Sequence, residues 1–128
     1  MSPELVEYLS VDDLLEIAAG ILPEVEIRDV GLLAAAASRP QSSVFGAEAY
    51  PSFDEKAAAL LHSIARNHAL VDGNKRLAWA AARVFYLMNG RDLAPSVDEA
   101  ESMVVGAASG TLDVPELALR LPGYVRDS

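Results

Sequence analysis

The sequence contains no cysteine, which excludes a disulfide framework, a thiolate zinc site and a cysteine nucleophile. No apolar run approaches the roughly 18–20 uninterrupted residues that a membrane helix needs. The opening stretch, with Glu4 and Glu7, lacks the basic-then-apolar layout of a signal peptide. A cytoplasmic protein without a membrane partner is therefore expected. Bases are scarce as well: ten Lys+Arg against nineteen Asp+Glu leave a net charge of −9. That is the wrong sign for a protein that grips DNA or RNA by its phosphates, so direct nucleic-acid binding is not expected. What the chain does have is material for a core. Of its 128 residues 52% are apolar and the mean hydropathy is +0.20, the profile of one globular domain over residues 1–128.

The few bases are unevenly placed. From Lys56 to Arg91 there are six bases (Lys56, Arg66, Lys75, Arg76, Arg83, Arg91) and one acid, Asp72, so this stretch is +5 and the remainder −14. A small cationic island in an acidic surround suits a compact anion such as a nucleotide phosphate better than a long polyanion. Within it Lys56, Arg83 and Arg91 are equally read as solvating helix faces, with Arg83, two turns after Arg76, a further candidate for the pocket. The acids of the N- and C-terminal thirds read as a solubility surface.

Alanine and leucine dominate and β-branched residues are sparse, so the chain reads as all-α. Ser10-Val11-Asp12-Asp13 has the form of a capping box, opening a helix with Gly20 as its stop, and a second helix covers Asp29–Ser38. Arg39–Pro51, with two prolines, a glycine and short apolar stretches on either side of Gly46, reads as a loop or one small β-hairpin. Ser52-Phe53-Asp54-Glu55 opens a helix to about Asn67; Asp54 and Glu55 are assigned to its cap and to no chemistry. The run Asn74–Asn89 is apolar nearly all round and is expected to be the central buried helix, with Trp79, Phe85, Tyr86 and Met88 in the core and Gly90 as its stop. A helix from Ser96 to about Gly110, and a short one from Asp113 to about Leu121, complete the pattern. His62, with no further ligands at metal spacing, is assigned a structural role.

Between the two best-defined helices, Arg66 to Arg76 gathers a histidine, a carboxylate, amides and three cations. The turn feeds a helix N-terminus, where unpaired N–H groups and the positive end of the macrodipole attract an anion. Lys75 and Arg76 on that first turn are electrostatically misplaced unless a phosphate sits there. Gly73 allows close backbone approach, Asp72 is suited to Mg²⁺, and His68 is suited to take a proton from an incoming hydroxyl. No nucleotide P-loop is present, because its spacing is not met.

This stretch, His68-Ala69-Leu70-Val71-Asp72-Gly73-Asn74-Lys75-Arg76, resembles the Fic/Doc signature His-x-Phe-x-Asp/Glu-Gly-Asn-x-Arg. Lys75 in place of the Gly usual in adenylyltransferases, and Trp79 in place of a second Arg, resemble the Doc branch. Tyr8-Leu9-Ser10-Val11-Asp12-Asp13, Gly31-Leu32-Leu33, Arg39-Pro40, Tyr50-Pro51 and Asn89-Gly90 carry the resemblance over essentially the whole chain. It implies a compact helical bundle with a β-hairpin flap, and the toxin half of a type II toxin–antitoxin pair. The implied activity is transfer of the γ-phosphoryl group from ATP with Mg²⁺ to a threonine of elongation factor Tu, which stops translation.

The same resemblance makes His68 the general base and Asp72 the Mg²⁺ ligand. It makes Arg66, Gly73, Asn74, Lys75 and Arg76 the phosphate-binding set, and Ser43, Val44, Phe45 and Gly46 the flap that docks the target. A Phd-like antitoxin is the implied partner, since no Ser/Thr-x-x-x-Glu-Gly/Asn inhibitory helix lies in the chain. Two positions depart from the family pattern. Leu70, the motif's core anchor, stands for the usual Phe, and Ala69 for a frequent Pro, so a looser loop is expected. AMP or other nucleotidyl transfer, and a catalytically silent antitoxin-binding module, are the alternatives.

Overall fold

The computed structural model describes residues 5–126. Six α-helices form one bundle: α1 (Val11–Ile21), α2 (Val30–Ser38), α3 (Phe53–Asn67), α4 (Asn74–Met88), α5 (Val97–Ser109) and α6 (Val114–Arg120). Their starts follow local chemistry. Ser10, Ser52 and Ser96 each accept from the backbone N–H three residues on, while Asp13, Glu55 and Glu99 reach back to the cap N–H. Asp29 caps α2 through the N–H of Leu32. Gly110 ends α5 at φ +84°, a conformation an L side chain resists.

α3, rather than α4, is the central helix. It packs against α2, α4, α5 and α6, and nine of its residues are buried, from Lys56 to Ala65. Its alanines at 57, 58 and 59 let neighbours approach closely on several sides. α4 instead keeps a wet face: Lys75, Arg76, Arg83, Leu87 and Met88 are exposed, Trp79 is half-buried, and Leu77, Ala81, Phe85 and Tyr86 face the core. The aromatics cluster there, with Phe53 stacked on Phe85 and edge-on to Tyr86. The Tyr86 hydroxyl donates to Asp54, so Asp54 does more than open α3; burial, reinforced by that carboxylate, raises the Tyr86 pKa.

The three bases outside the motif are engaged rather than merely solvated. Lys56 is buried and donates to Glu48 at 3.0 Å and to the Tyr50 carbonyl. Arg83 pairs with Asp92 at 3.4 Å, and Arg91 lies over the Phe53 ring. The predicted hairpin is present as β1 (Ser43–Val44) and β2 (Ala47–Glu48), antiparallel with Val44 opposite Ala47. A second two-stranded sheet was not expected: β3 (Asp92–Leu93) pairs with β4 (Val125–Arg126), and Asp92 binds Arg126 at 2.9 Å. That pairing draws residues 125–126 onto the segment that follows α4. Among the described residues no helix is long and apolar enough to cross a membrane.

Candidate active site

The α3–α4 connection is fixed from two sides before any ligand is considered. On the outside, residues 26–29 run antiparallel to residues 69–71. Arg28 and Asp29 N–H both donate to the Ala69 carbonyl (2.8 and 3.0 Å) and Val71 N–H to the Glu26 carbonyl (2.9 Å), bracketing an isolated bridge between Ile27 and Leu70. From within, the Asn74 amide accepts from Leu70 N–H at 2.9 Å and donates to the Leu70 carbonyl at 2.8 Å. The Leu70 side chain is 1% exposed. The connection is thus pinned at three consecutive residues by bonds to their backbone groups.

Two backbone conformations shape what remains exposed. His68 ends α3 in the left-handed region (φ 53°, ψ 51°), uncommon for a residue with a Cβ, and its ring stands in solvent. Gly73 opens α4 at φ +89°, where a Cβ would lie 2.7 Å from Leu22. No side chain caps α4, so its first-turn N–H groups face outward. Asp72 uses one carboxylate oxygen to accept from Gly73 N–H at 2.9 Å, and its other oxygen has no protein partner among the described residues.

These groups converge on one cavity of about 720 Å³, lined on the α4 side by His68, Asp72, Gly73, Asn74, Lys75 and Arg76, within the size range of small-ligand sites. Leu22, Pro23, Glu24 and Glu26, from the segment after α1, and Val71 of the α3–α4 connection complete the lining. Neither Lys75 nor Arg76 makes a hydrogen bond or ion pair among the described residues. Unneutralised cations, outward N–H groups and the positive helix end make one side of the cavity an anion site. A carboxylate with an uncommitted oxygen beside that site suits a hard divalent cation bridging to phosphate. The donor set therefore fits a magnesium-bound polyphosphate.

Over residues 8–86 the chain matches the Fic/DOC family model. It is also 50% identical over 125 residues to Toxin Doc of Mycolicibacterium smegmatis, an alignment covering 94% of this chain and 95% of that protein. The chain belongs to the Fic/Doc family. Its motif residues divide by position in this Fic/Doc fold. His68, Asp72, Gly73, Lys75 and Arg76 share the cavity. Asn74 lines it too; its amide oxygen and one amide N–H hold Leu70, and its second amide N–H has no partner among the described residues. Arg66 does not line the cavity. It points from the last turn of α3 to the Ala108 carbonyl (3.3 Å) and lies against Gly110, where a cation complements the C-terminal end of α5. Arg83 is likewise absent from the lining, because Asp92 holds it. The flap residues Ser43, Val44, Phe45 and Gly46 are all exposed and outside the cavity, on the hairpin.

Glu24 and Glu26 were not anticipated. Read as part of a solubility surface, they instead face the cationic side of the cavity, brought there by the Ile27–Leu70 bridge. α1 runs through Gly20, its expected stop, to Ile21, and the Pro23 that follows does not say where the next segment docks. Elsewhere, His62 accepts from Arg39 at Nδ1 (3.0 Å) and directs Nε2 toward Asp113 at 3.6 Å. Burial, then the Arg39 charge, lowers its pKa. The role is structural, and no cluster of three or more metal-ligating side chains occurs among the described residues.

Proposed function

We propose that this protein is the toxin of a toxin–antitoxin pair and transfers the γ-phosphoryl group of ATP to a protein hydroxyl, a threonine of elongation factor Tu, thereby blocking translation. One observation carries the reading: His68, Asp72, Lys75 and Arg76 open onto one cavity at an uncapped helix N-terminus, in a chain half identical to a protein named Toxin Doc. His68 takes the proton of the incoming hydroxyl as its oxygen bonds to the γ-phosphorus, and the bond from that phosphorus to the bridging oxygen breaks, leaving ADP. Lys75, Arg76 and the first-turn N–H groups of α4 hold phosphate oxygens and stabilise the charge that develops on them. Asp72 would hold Mg²⁺, which would supply charge neutralisation for the polyphosphate.

Lys75, where adenylyltransferases of the family carry glycine, adds a cation beside the helix end and supports phosphoryl over nucleotidyl transfer. The exposed hairpin supports docking of an extended segment of the target as an added strand. With no inhibitory helix in the sequence, restraint falls to a Phd-like antitoxin. The test is to express the intact gene beside His68→Ala in bacteria and weigh elongation factor Tu. A gain of about 80 Da that requires His68 is expected; about 329 Da, the mass of an AMP group, would mean nucleotidyl transfer. No gain would overturn the enzymatic reading.

A further inference from the structure

We propose that Arg28 is a positioning residue for His68, clamping the end of α3 so that the imidazole is held over the cavity. The Arg28 guanidinium donates through Nε to the His68 carbonyl at 2.8 Å and through Nη2 to the Asn67 carbonyl at 3.4 Å. These are the last carbonyls of α3, which an α-helix leaves without partners. At the ends of α1, α2, α4, α5 and α6 the cap N–H turns back onto the helix, whereas α3 has no such bond at His68. The guanidinium instead supplies donors to the final two carbonyls, those of Asn67 and His68, with its charge at the negative end of the dipole.

The conformation it holds is unfavourable by itself. A histidine at φ 53° persists where surrounding contacts over-determine it, and such outliers gather at functional sites. Arg28 is well placed for the task, because its own N–H and that of Asp29 bind Ala69, so the backbone sets it beside the turn whatever its side chain does. It makes no ion pair among the described residues and does not line the cavity. It therefore acts through His68 and not on the reacting atoms. Substitution removes two side-chain bonds and leaves the strap of residues 26–29 in place.

The consequence for transfer rests on His68 being the base, so the experiment reads the clamp with and without turnover. Wild type, Arg28→Ala and Arg28→Lys are compared for phosphorylation of elongation factor Tu with Mg²⁺-ATP. In parallel, imidazole C–H signals are followed by NMR, where the protein has only two histidines, His62 and His68. In Arg28→Ala, kcat falls about 10- to 100-fold from misplacement of the base, while KM for ATP stays within about twofold because the phosphate-binding side is untouched. Lysine recovers part of the loss, as does added guanidinium ion. The His68 signal shifts or broadens while that of His62 does not move. Wild-type kcat in Arg28→Ala, or equal movement of both histidine signals with a lowered melting temperature, would overturn the proposal. If wild type shows no His68-dependent turnover, the functional reading fails, and the NMR comparison alone then decides the clamp: an unmoved His68 signal in Arg28→Ala refutes it.

Discussion

Asn74 joins two ends of one peptide unit's neighbourhood: among the described residues its amide is the sole partner of both the N–H and the carbonyl of buried Leu70. Removing it leaves both groups dry and unpaired, so Asn74→Ala is expected to lose about 2–6 kcal/mol of stability in urea unfolding, at about 1–3 kcal/mol for each orphaned group. The sequence marks Asn74 as part of the site but does not show that it also holds the loop, because an amide that does both looks the same in sequence as one that only holds phosphate. That Arg66 reaches the Ala108 carbonyl likewise follows only from the packing of α5 and is not legible in the sequence. Gly73 is the opposite case, legible from the start as a point of close approach. At φ +89° with Leu22 at 2.7 Å from a Cβ, Gly73→Ala should cost about 1–2 kcal/mol for the left-handed backbone alone, and weaken nucleotide binding by displacing Leu22 from the cavity wall. Leu70 stands where the family usually carries Phe. In a core already filled around it, Leu70→Phe is expected to destabilise by about 1–3 kcal/mol through overpacking, measured by the same unfolding experiment.

At the scale of elements, helix starts were the most legible feature, since a capping box is a local contract among four residues. Long-range pairing was not. Asp92 and Arg126 lie 34 positions apart, and nothing local to either announces β3 and β4. The centrality of α3 was hidden for a related reason: its lysine and serine lower its apparent hydrophobicity, yet Lys56 and Ser63 are buried with partners, Glu48 and Arg39. The hairpin tip shows where local rules and exposure disagree. Phe45 and Gly46 both take positive φ (51° and 82°), as a two-residue turn between antiparallel strands favours, although Asn or Gly is the usual first residue there. Phe45 is also fully exposed, at 104%. A strained, solvated phenylalanine contributes nothing to the fold, so Phe45→Asn should leave the melting temperature unchanged or raise stability by about 0.5–1 kcal/mol. The same change is expected to raise KM for the protein target without altering ATP binding.

At the scale of the whole molecule, the acidic balance and lack of long apolar runs were readable from composition, whereas the siting of individual charges required the fold. Glu24 and Glu26 became cavity walls, and His62 became the centre of a polar cluster joining Arg39, Ser63 and Asp113. Burial, then Arg39, holds the His62 pKa below its ordinary 6.5, with Asp113 opposing and Arg66 assisting. The unfolded chain therefore binds a proton before the folded one does. Stability from this group is fully present above pH 6.5 and is lost as the pH falls from there toward the depressed folded value. Urea midpoints of wild type should decline over that interval more steeply than those of His62→Gln. The central claim is phosphoryl transfer driven by His68, and isotopic labelling tests it most directly. Purified protein is incubated with Mg²⁺, elongation factor Tu and ATP labelled at either the γ- or the α-phosphate, beside His68→Asn, which tolerates the left-handed turn but lacks the base. The account predicts label on the target from the γ-position alone, with the rate reduced about 10²–10⁴-fold in His68→Asn. Label from the α-position, or equal γ-labelling by His68→Asn, would contradict it.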